Sequence, residues 1–338
     1  GPFTRYLNVS DNSLTAPDAP DEVNYGSGEK VADYTGLEPR LSLRYSIDQQ
    51  SSVKAGFMRN YQYIHLTSLS PTSLPTDVWI PSTDLTKPQI GIQYSVGYFR
   101  NFHQDDYETS VELYYKDMYN QTEYKEGAQP EQTVNDNIDN LLIYGRGYSY
   151  GAEFFLKKRT GNLNGWIGYT WSKTFRIFDE VNNGEPFPTR WDRRHDISFV
   201  ANYALNKKWE FGFVFVYATG NAITLPVERY FIEGKIVDRY GDRNSFRMAP
   251  YHRADISATY HVTPRRERRH PLPDGAPERK TLFYSSWNFS VYNLYNRRNP
   301  YFIYFGTDGQ LQEGTLQVKA YQVSLFPILP SVTWNFSF

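Results

Sequence analysis

The densest run of titratable residues in this chain is Trp-Asp-Arg-Arg-His-Asp at 191–196. Its carboxylates, imidazole and guanidinium groups could hold a metal or act as an acid–base pair. In a strand, however, neighbouring side chains point to opposite faces, so His195 and Asp196 cannot share a ligand. The other histidines are scattered, without the spacing of a zinc site. We therefore predict a charged network at the rim of a sheet, with no catalytic residue, metal or cofactor.

Two other motifs imitate functional sites. Gly-x-Ser-x-Gly at 147–151 matches the hydrolase nucleophile elbow, which requires a strand-to-helix turn. Here alternation of apolar and polar residues continues to Leu156, which predicts a strand with Ser149 facing a lumen. The basic run at 265–270 resembles a nucleic-acid patch, but the chain has 36 Lys+Arg against 37 Asp+Glu. We predict a solvated turn there and no nucleic-acid partner.

The element that would position these residues is a strand with one apolar and one polar side. It is clearest at 331–338, where Val332, Trp334, Phe336 and Phe338 alternate with polar residues. A period of two is typical of β-strands. The chain has no cysteine, and aromatic residues make up 17% of it. No run approaches the roughly 18 apolar residues of a membrane helix. These properties favour an all-β protein, either a membrane barrel or a soluble domain.

About eleven such strands follow one another from residue 41 to the end. The predicted short turns lie at 48–50, 101–106, 160–162 and 206–208. The predicted long loops lie at 64–88, 121–142, 174–190, 219–250 and 295–329. The two classes alternate, and only the connection at 263–280 is long for its side. Outer-membrane barrels have short periplasmic turns at one rim and long surface loops at the other. The pattern therefore predicts a transmembrane antiparallel β-barrel rather than a soluble sandwich or propeller.

Several motifs make the prediction more specific. They are Glu-Pro-Arg-Leu-Ser-Leu-Arg-Tyr at 38–45, Pro-Thr-Asp-Val-Trp-Ile-Pro at 75–81, Gln-Tyr-Ser-Val-Gly-Tyr-Phe-Arg-Asn at 93–101, the 191–196 run, Ser-Val-Tyr-Asn-Leu-Tyr-Asn at 290–296 and the terminal Trp-x-Phe-x-Phe. Together they resemble the barrel of TonB-dependent outer-membrane receptors, in particular the Bacteroidetes group with a carboxypeptidase-regulatory-like N-terminal domain. The resemblance runs from about residue 38 to the end.

The resemblance implies a 22-stranded barrel around a plug, of which about eleven strands here would be the C-terminal half. We expect residues 1–37 to be an extracellular loop and 38–338 to be the half-barrel. The plug and N-terminal strands would precede them in a longer, processed protein. The implied function is TonB-dependent transport of a scarce nutrient across the bacterial outer membrane. The implied partners are outer-membrane lipid, the plug and N-terminal barrel half, TonB and the barrel-assembly machinery.

The resemblance and the face pattern assign roles to three sets of residues. We expect five polar strand residues to face the lumen: Arg44, Gln93, Glu112, Glu153 and Asp255. Lipid does not explain ring-bearing residues in the long loops, so we expect substrate or partner contacts from Tyr61, Tyr63, His65, Trp79, Tyr230, Phe231, Tyr301, Phe302 and Tyr304. Loops folding over one another are the alternative explanation. The C-terminal signal for barrel assembly would be carried by Trp334, Phe336 and Phe338.

Two other functions stay open at this point. One is a non-transporting scaffold barrel that binds a surface lipoprotein over its long loops and needs no TonB. The upstream sequence would discriminate it, because a scaffold can lose the TonB-contacting segment. The other is a soluble all-β binding domain, which would need no detergent for extraction.

Overall fold

The alternating segments form β-strands, as the period of two predicts. The structure, a computed structural model, describes residues 3–5, 23–25, 28–67, 78–125, 138–232, 235–262, 284–308 and 317–337. The helical content of these residues is two short 3₁₀ turns, Ile138–Leu141 and Asn182–Gly184. None of their helices has the length and apolar character needed to span a membrane.

Eleven strands form one continuous antiparallel sheet, here called the wall. They are β1 (Arg40–Ser46), β2 (Ser51–Gln62), β3 (Gln89–Phe102), β4 (Tyr107–Tyr124), β5 (Leu142–Lys158), β6 (Leu163–Ile177), β7 (His195–Ala204), β8 (Trp209–Ala218), β9 (Tyr251–His261), β10 (Tyr284–Tyr292) and β11 (Leu329–Ser337). Each strand pairs with its neighbours in chain order, from β1 at one edge to β11 at the other. This meander confirms the predicted all-β class and the predicted number of strands.

Several shorter strands lie in the segments before and between the strands of the wall. Phe187–Pro188 pairs with β6. The separate antiparallel pairs are Phe3–Arg5 with Val23–Tyr25, Ile64–Thr67 with Val78–Pro81, Ala222–Ile223 with Phe246–Arg247, Pro226–Ile232 with Lys235–Tyr240, and Pro300–Asp308 with Gln317–Ser324. The sequence had indicated loops for all of these segments, including an irregular connection at 64–88.

The connections of the wall fall into two length classes, as predicted. The turns after β1, β3, β5 and β7 are each four residues long. The connections after β2, β4, β6, β8 and β10 run from 17 to 36 residues. Because antiparallel strands alternate in direction, these five long connections all leave one end of the wall, the loop rim. The opposite end is the turn rim. The connection after β9 and the basic run at 265–270 lie outside the described residues.

The two faces of the wall differ in chemistry, because directly opposite residues of an antiparallel sheet point to the same side. One cross-strand row reads Tyr45, Val53, Tyr98, Val111, Phe154, Tyr169, Ile197 and Tyr217. The adjacent row reads Arg44, Lys54, Gly97, Glu112, Glu153, Thr170 and Asp196. We call these sides the apolar face and the polar face.

The wall does not close on itself within the described residues. The edge strands β1 and β11 each have one wall neighbour, and every residue of both is exposed. Such edges present unpaired N–H and C=O groups along their length.

The compact apolar clusters lie at the loop rim rather than in the middle of the wall. One contains Ile143, Phe178, Val181 and Phe187. The other contains Ile80, Tyr124 and Leu142. Ile92, Phe199 and Phe213 of the apolar face are only half-buried. The wall therefore lacks the sandwich core of a soluble all-β domain.

Strands β4 to β6 extend further toward the loop rim than the sequence pattern indicated. The register of β4 against β5 shifts between Met118 and Gln121, and Asn120 there has a φ of 55°. This β-bulge adds one residue to β4 and so reverses which side chains face each side of the sheet. The period of two is therefore interrupted in the sequence, although β4 stays paired with β5 as far as Tyr124. Strand β5, by contrast, runs without a turn through Gly147 and Gly151, which confirms a strand instead of a nucleophile elbow.

Charge on the apolar face should prevent assembly if that face meets hydrocarbon. Phe213 lies opposite Ala201 and Ile256 in the middle of this face. We expect Phe213→Asp to cost about 2 kcal/mol, because a charge at mid-depth must be taken out of water. Heat-modifiable gel migration of outer-membrane fractions would report the folded amount.

Asn202→Asp is the matched control for Phe213→Asp. Asn202 lies opposite Gly212 on the polar face, so the same charge enters at the same height. We expect near-normal assembly from it. Equal loss with both variants would contradict the assignment of faces.

Candidate functional site

Asp192, in the Trp-Asp-Arg-Arg-His-Asp run, is buried and joins two long connections to the wall. Its Oδ1 accepts the backbone N–H of Thr174 on β6 at 2.8 Å. Its Oδ2 accepts from the Arg247 guanidinium, in the 219–250 connection. Arg247 also donates to the carbonyl oxygens of Asp192 and Gly220. The predicted charged network exists, and it locks the 178–194 and 219–250 connections together.

His195 and Asp196 point to opposite faces, as strand alternation predicted. His195 lies opposite Trp171 and forms a 2.9 Å hydrogen bond between its Nδ1 and the Tyr169 hydroxyl. Asp196 lies opposite Thr170 in the polar row. Among the described residues, no three His, Asp or Glu side chains come together as a metal site requires.

Asp139 is the centre of a second buried network, which the sequence did not indicate. Its carboxylate accepts the Thr83 hydroxyl at 2.7 Å and the Thr86 hydroxyl. Thr86 also bonds the Tyr144 hydroxyl at 2.9 Å, and Tyr34 donates to the Thr83 carbonyl at 2.6 Å. Burial, with Asp139 nearby, raises the pKa of Tyr34. The network ties segment 28–39 to the connections after β2 and β4.

His65 lies inside this layer and not on its surface. It has no exposed area, its Nε2 bonds Ser82 Oγ at 2.9 Å, and its Nδ1 is buried without a hydrogen-bond partner. Burial lowers the pKa of His65, and the negative charge of Asp139 opposes that shift. The neutral imidazole is therefore favoured. A contact role for His65 stays a prediction, and its burial makes the role indirect.

Of the aromatic candidates near β2, Tyr63 and Trp79 are exposed and Tyr61 is half-buried. Tyr61 and Tyr63 stack with ring centroids 6.1 Å apart, and the Arg59 guanidinium lies 4.9 Å from the Tyr61 ring. Trp79, on the paired strand Val78–Pro81, is 64% exposed. Flat rings held this way can stack on a ligand.

The remaining aromatic candidates lie on two other hairpins. Tyr304 stacks on Tyr321 at 5.2 Å, and Phe302 lies between Tyr301 and Tyr304 at 5.8 and 6.0 Å. Tyr230 donates its hydroxyl to Glu228. Phe231 lies in the same strand as Tyr230. Seven of the nine candidates thus lie on three hairpins, while Tyr61 lies on β2 and Tyr63 directly follows it. Their roles stay predictions.

The five polar candidates all lie on the polar face. Arg44, Glu112 and Glu153 fall in one cross-strand row. Gln93 lies opposite Met58 and Lys116. Asp255 is engaged locally, since it accepts the Asn293 backbone N–H at 2.8 Å and bonds Arg253 at 3.0 Å. Their roles as lumen residues stay predictions.

A cavity of about 200 Å³ opens at the loop rim where β2 to β6 end. Gln62 and Gln89 lie opposite each other at one side of it. Arg176, at the end of β6, donates to Glu123 at 2.8 Å. Arg190 and Trp191 line it from the 178–194 connection. This cavity combines charged, amide and aromatic groups and is a candidate binding site.

Sequence reasoning missed most of the residues that shape this rim. Thr83 and Thr86 hydrogen-bond to Asp139, which lies more than 50 residues away in the sequence. Arg176 and Glu123 are bonded over a similar sequence separation. No local pattern marks such pairs. The burial of Asp192 had one usable signal, its place in the Trp-Asp-Arg-Arg-His-Asp run, one of the motifs that carry the resemblance to TonB-dependent receptors.

Comparison with known proteins agrees with this geometry. Residues 5–294 match the family described as TonB dependent receptor-like, beta-barrel. The solved FpvAI–pyocin complex is similar with a TM-score of 0.54 and 12% identity, over 94% of this chain and 34% of that chain. The ferric-catecholate import receptor Fiu from E. coli, in its closed form, gives a TM-score of 0.51 and 13% identity, over 88% of this chain and 36% of that chain.

At these identities the two structures establish the fold alone. The chain spans about a third of the length of the solved chains that it matches. No curated protein matches it. The family match begins at residue 5, earlier than the motifs at 38 suggested, and ends at residue 294.

Removing Asp192 should loosen the loop rim. Asp192→Ala leaves Arg247 without its carboxylate and Thr174 N–H without its acceptor, and breaking a buried ion pair costs about 3–5 kcal/mol. We expect faster hydrogen exchange in the 178–194 and 219–250 connections. Arg239→Ala is the control, because its ion pair with Glu228 is largely exposed and solvent-exposed pairs contribute little to stability. Equal hydrogen-exchange rates in the two variants would contradict the role of Asp192 in holding the two connections together.

Acid should destabilise the layer around His65. Its folded pKa is lowered, so the unfolded state binds the proton first as pH falls below the ordinary value of about 6.5. Stability is full above that pH and decreases below it. We expect hydrogen-exchange protection at 64–67 and 82–86 to decrease between pH 7.5 and 5.5. His65→Asn should flatten this dependence, whereas His103→Asn, in the exposed turn after β3, should not.

Proposed function

The chain belongs to the family of TonB-dependent receptor β-barrels, which lie in the outer membrane, and we propose that it is the C-terminal half of a barrel that imports a scarce nutrient. The observation that carries the proposal is the pair of adjacent cross-strand rows, one apolar and one polar, across the wall. Lipid outside and a filled lumen inside account for both rows. The neighbour Fiu, which shares this fold, is a ferric-catecholate import receptor.

The spacing of aromatic residues supports a membrane span. Trp209, Tyr260, Trp287 and Trp334 form one row across four strands at the turn rim. Tyr217, eight residues along β8, stacks on His252 near the loop rim. Eight residues rise about 26 Å, or about 20 Å for strands tilted near 40°, which is close to the apolar band of outer-membrane barrels.

The open edges of the wall support the missing half of the barrel. Strands β1 and β11 need partners along their length, and N-terminal strands of the same protein would supply them. The polar face would then surround the plug, with Arg44, Gln93, Glu112, Glu153 and Asp255 facing it. TonB would act on that plug and not on this chain.

The motifs at 38–45, 191–196 and 290–296 support placement in the Bacteroidetes group with a carboxypeptidase-regulatory-like domain. In this proposal residues 1–37 form an extracellular loop. The structure adds that Phe3–Arg5 pairs with Val23–Tyr25 within it.

The last strand is the proposed signal for the barrel-assembly machinery. Trp334 stacks on Trp287 at 5.8 Å and on Phe336 at 4.6 Å, and its indole donates to Ser285 Oγ at 2.8 Å. Phe338, the third member of the signal, lies outside the described residues. The exposed rings of Trp334 and Phe336 are available to the machinery before the barrel closes.

Import should depend on this receptor and on the proton gradient. Mass spectrometry of spent medium would identify solutes that wild-type cells deplete and cells lacking the full-length receptor do not. We expect their uptake to stop in cells lacking TonB or treated with an uncoupler, because the force on the plug is then lost. Surface binding should persist in both cases. Uptake that continues without TonB would contradict active transport.

A further inference from the structure

Basic side chains lie over aromatic rings on the apolar face of the wall, near both of its rims. The pairs are Arg59 with Tyr61 and Lys173 with Trp171 near the loop rim, and Arg100 with Phe102 and Lys158 with Tyr107 near the turn rim. The charged group lies between 4.9 and 5.9 Å from the ring centroid. Such cation–ring pairs are attractive. Aromatic rings and long basic side chains gather where hydrocarbon meets lipid headgroups.

The two levels of basic residues have the same separation at two places in the wall. The residues that measure it are Ile92, opposite Arg59, with Arg100 on β3, and Gly165, opposite Lys158, with Lys173 on β6. Each pair is eight residues apart, which corresponds to about 26 Å along a strand. Trp209 and Tyr217 on β8 have the same spacing. The basic residues and the aromatic rows therefore mark the same two levels.

These levels cross the wall diagonally, as the boundaries of a membrane do when strands are tilted. The upper level passes from Arg59 on β2 to Tyr217 on β8. Val53 is the β2 residue in the cross-strand row of Tyr217, and Arg59 lies six residues beyond it. Six residues over six strand spacings correspond to a tilt of about 35°, with about 3.3 Å per residue and about 4.8 Å between strands. Outer-membrane barrels have such a tilt.

The apolar face between the two levels carries no Asp, Glu, Lys or Arg on β1 to β6. One of the two rows there is the row that begins at Tyr45. The other reads Leu43, Ala55, Val96, Leu113, Ala152 and Trp171. Charge on this side of the wall therefore begins only at the levels where headgroups would lie.

The two basic residues at the loop rim lack a carboxylate partner among the described residues. Neither Arg59 nor Lys173 takes part in an ion pair there, and Arg59 Nε is buried without a hydrogen-bond partner. The carboxylate of Asp117, which lies in the same cross-strand row as Arg59, accepts the Tyr115 hydroxyl at 3.0 Å instead. These two positive charges are therefore available to an anion outside the wall.

The basic residues at the turn rim differ in this respect. Arg100 interacts electrostatically with Asp48, and Lys158 with Asp106, both in the short turns. The protein itself therefore supplies negative charge at the turn rim, whereas at the loop rim it does not.

We propose that Arg59 and Lys173 bind phosphate groups of the membrane lipid that surrounds the loop rim. The stem of each side chain lies along apolar surface, the ring of Tyr61 or Trp171 holds its charged head, and that head donates to a phosphate oxygen. The two residues are four strand spacings apart, about 19 Å, so they contact separate phosphates. The inference rests on the outer-membrane location of the receptor family and not on transport, so a failed import experiment would leave it unchanged.

The test uses the purified full-length receptor in dodecyl maltoside, with each variant first checked for folding by heat-modifiable gel migration. Native mass spectrometry would measure how much receptor carries added lipid A, a glycolipid with phosphate groups, or its dephosphorylated form. We expect saturable binding of the phosphorylated form and weaker binding of the other. The double variant Arg59→Gln with Lys173→Gln should lower the affinity about fivefold, the contribution of one basic side chain to each bound lipid.

Two matched variants make the assignment specific. Lys54→Gln with Lys116→Gln removes the same charge from the polar face, on β2 and β4, and should change the affinity less than twofold. Arg59→Lys with Lys173→Arg keeps both charges and should bind lipid A as the wild type does. Inorganic phosphate, added as a competitor, should not displace the lipid, because the acyl chains also contact the apolar face.

Four results would overturn the proposal. Equal weakening by the apolar-face and polar-face double variants would show an effect of net charge alone. Equal binding of phosphorylated and dephosphorylated lipid A would show that phosphate is not recognised. Displacement by inorganic phosphate would show a site for the free ion, and an absence of saturable lipid binding would show no lipid site.

Discussion

The constraint on which this structure depends is that backbone N–H and C=O groups in hydrocarbon must all bond within the sheet. A meander meets it with the least chain, because each strand finds its partner in its neighbour along the sequence. Strands β2 to β10 have partners on both sides, while β1 and β11 do not. Those two edges are the structural observation behind the proposal that N-terminal strands complete the barrel.

The same constraint separates the wall from the loops. Apolar side chains on the apolar face of the wall are exposed or half-buried, so they add no packed core. The packed clusters and the buried carboxylates Asp139 and Asp192 lie at the loop rim instead. Each of these carboxylates bonds to residues from a different connection. The long connections are thus bonded to one another and form an ordered layer. Such a layer can keep the shape of a binding cavity constant.

The cavity depends on both parts. The loop-rim ends of β3, β4 and β6 place Gln89, Glu123 and Arg176 in its lining. The 178–194 connection supplies Arg190 and Trp191. Because strand pairing fixes the first three residues, they are positioned more rigidly than residues carried by loops alone. The bulge at Asn120 contributes to this arrangement, because beyond it the side chains of β4 point to the opposite sides of the sheet while pairing continues to Tyr124.

Local alternation alone predicted the eleven strands, their chain-order pairing and the two classes of connection, because each strand displays its own period of two. It also placed His195 and Asp196 on opposite faces. It could not predict the hairpins in the loops, the burial of His65, or the contacts of Asp139 with Thr83 and Thr86. Those depend on how connections separated by about 50 residues close on one another. The side of the sheet to which a residue points depends on its neighbours along the chain. Burial and the shape of a cavity depend on segments that are distant in the sequence, so only the tertiary structure determined the site.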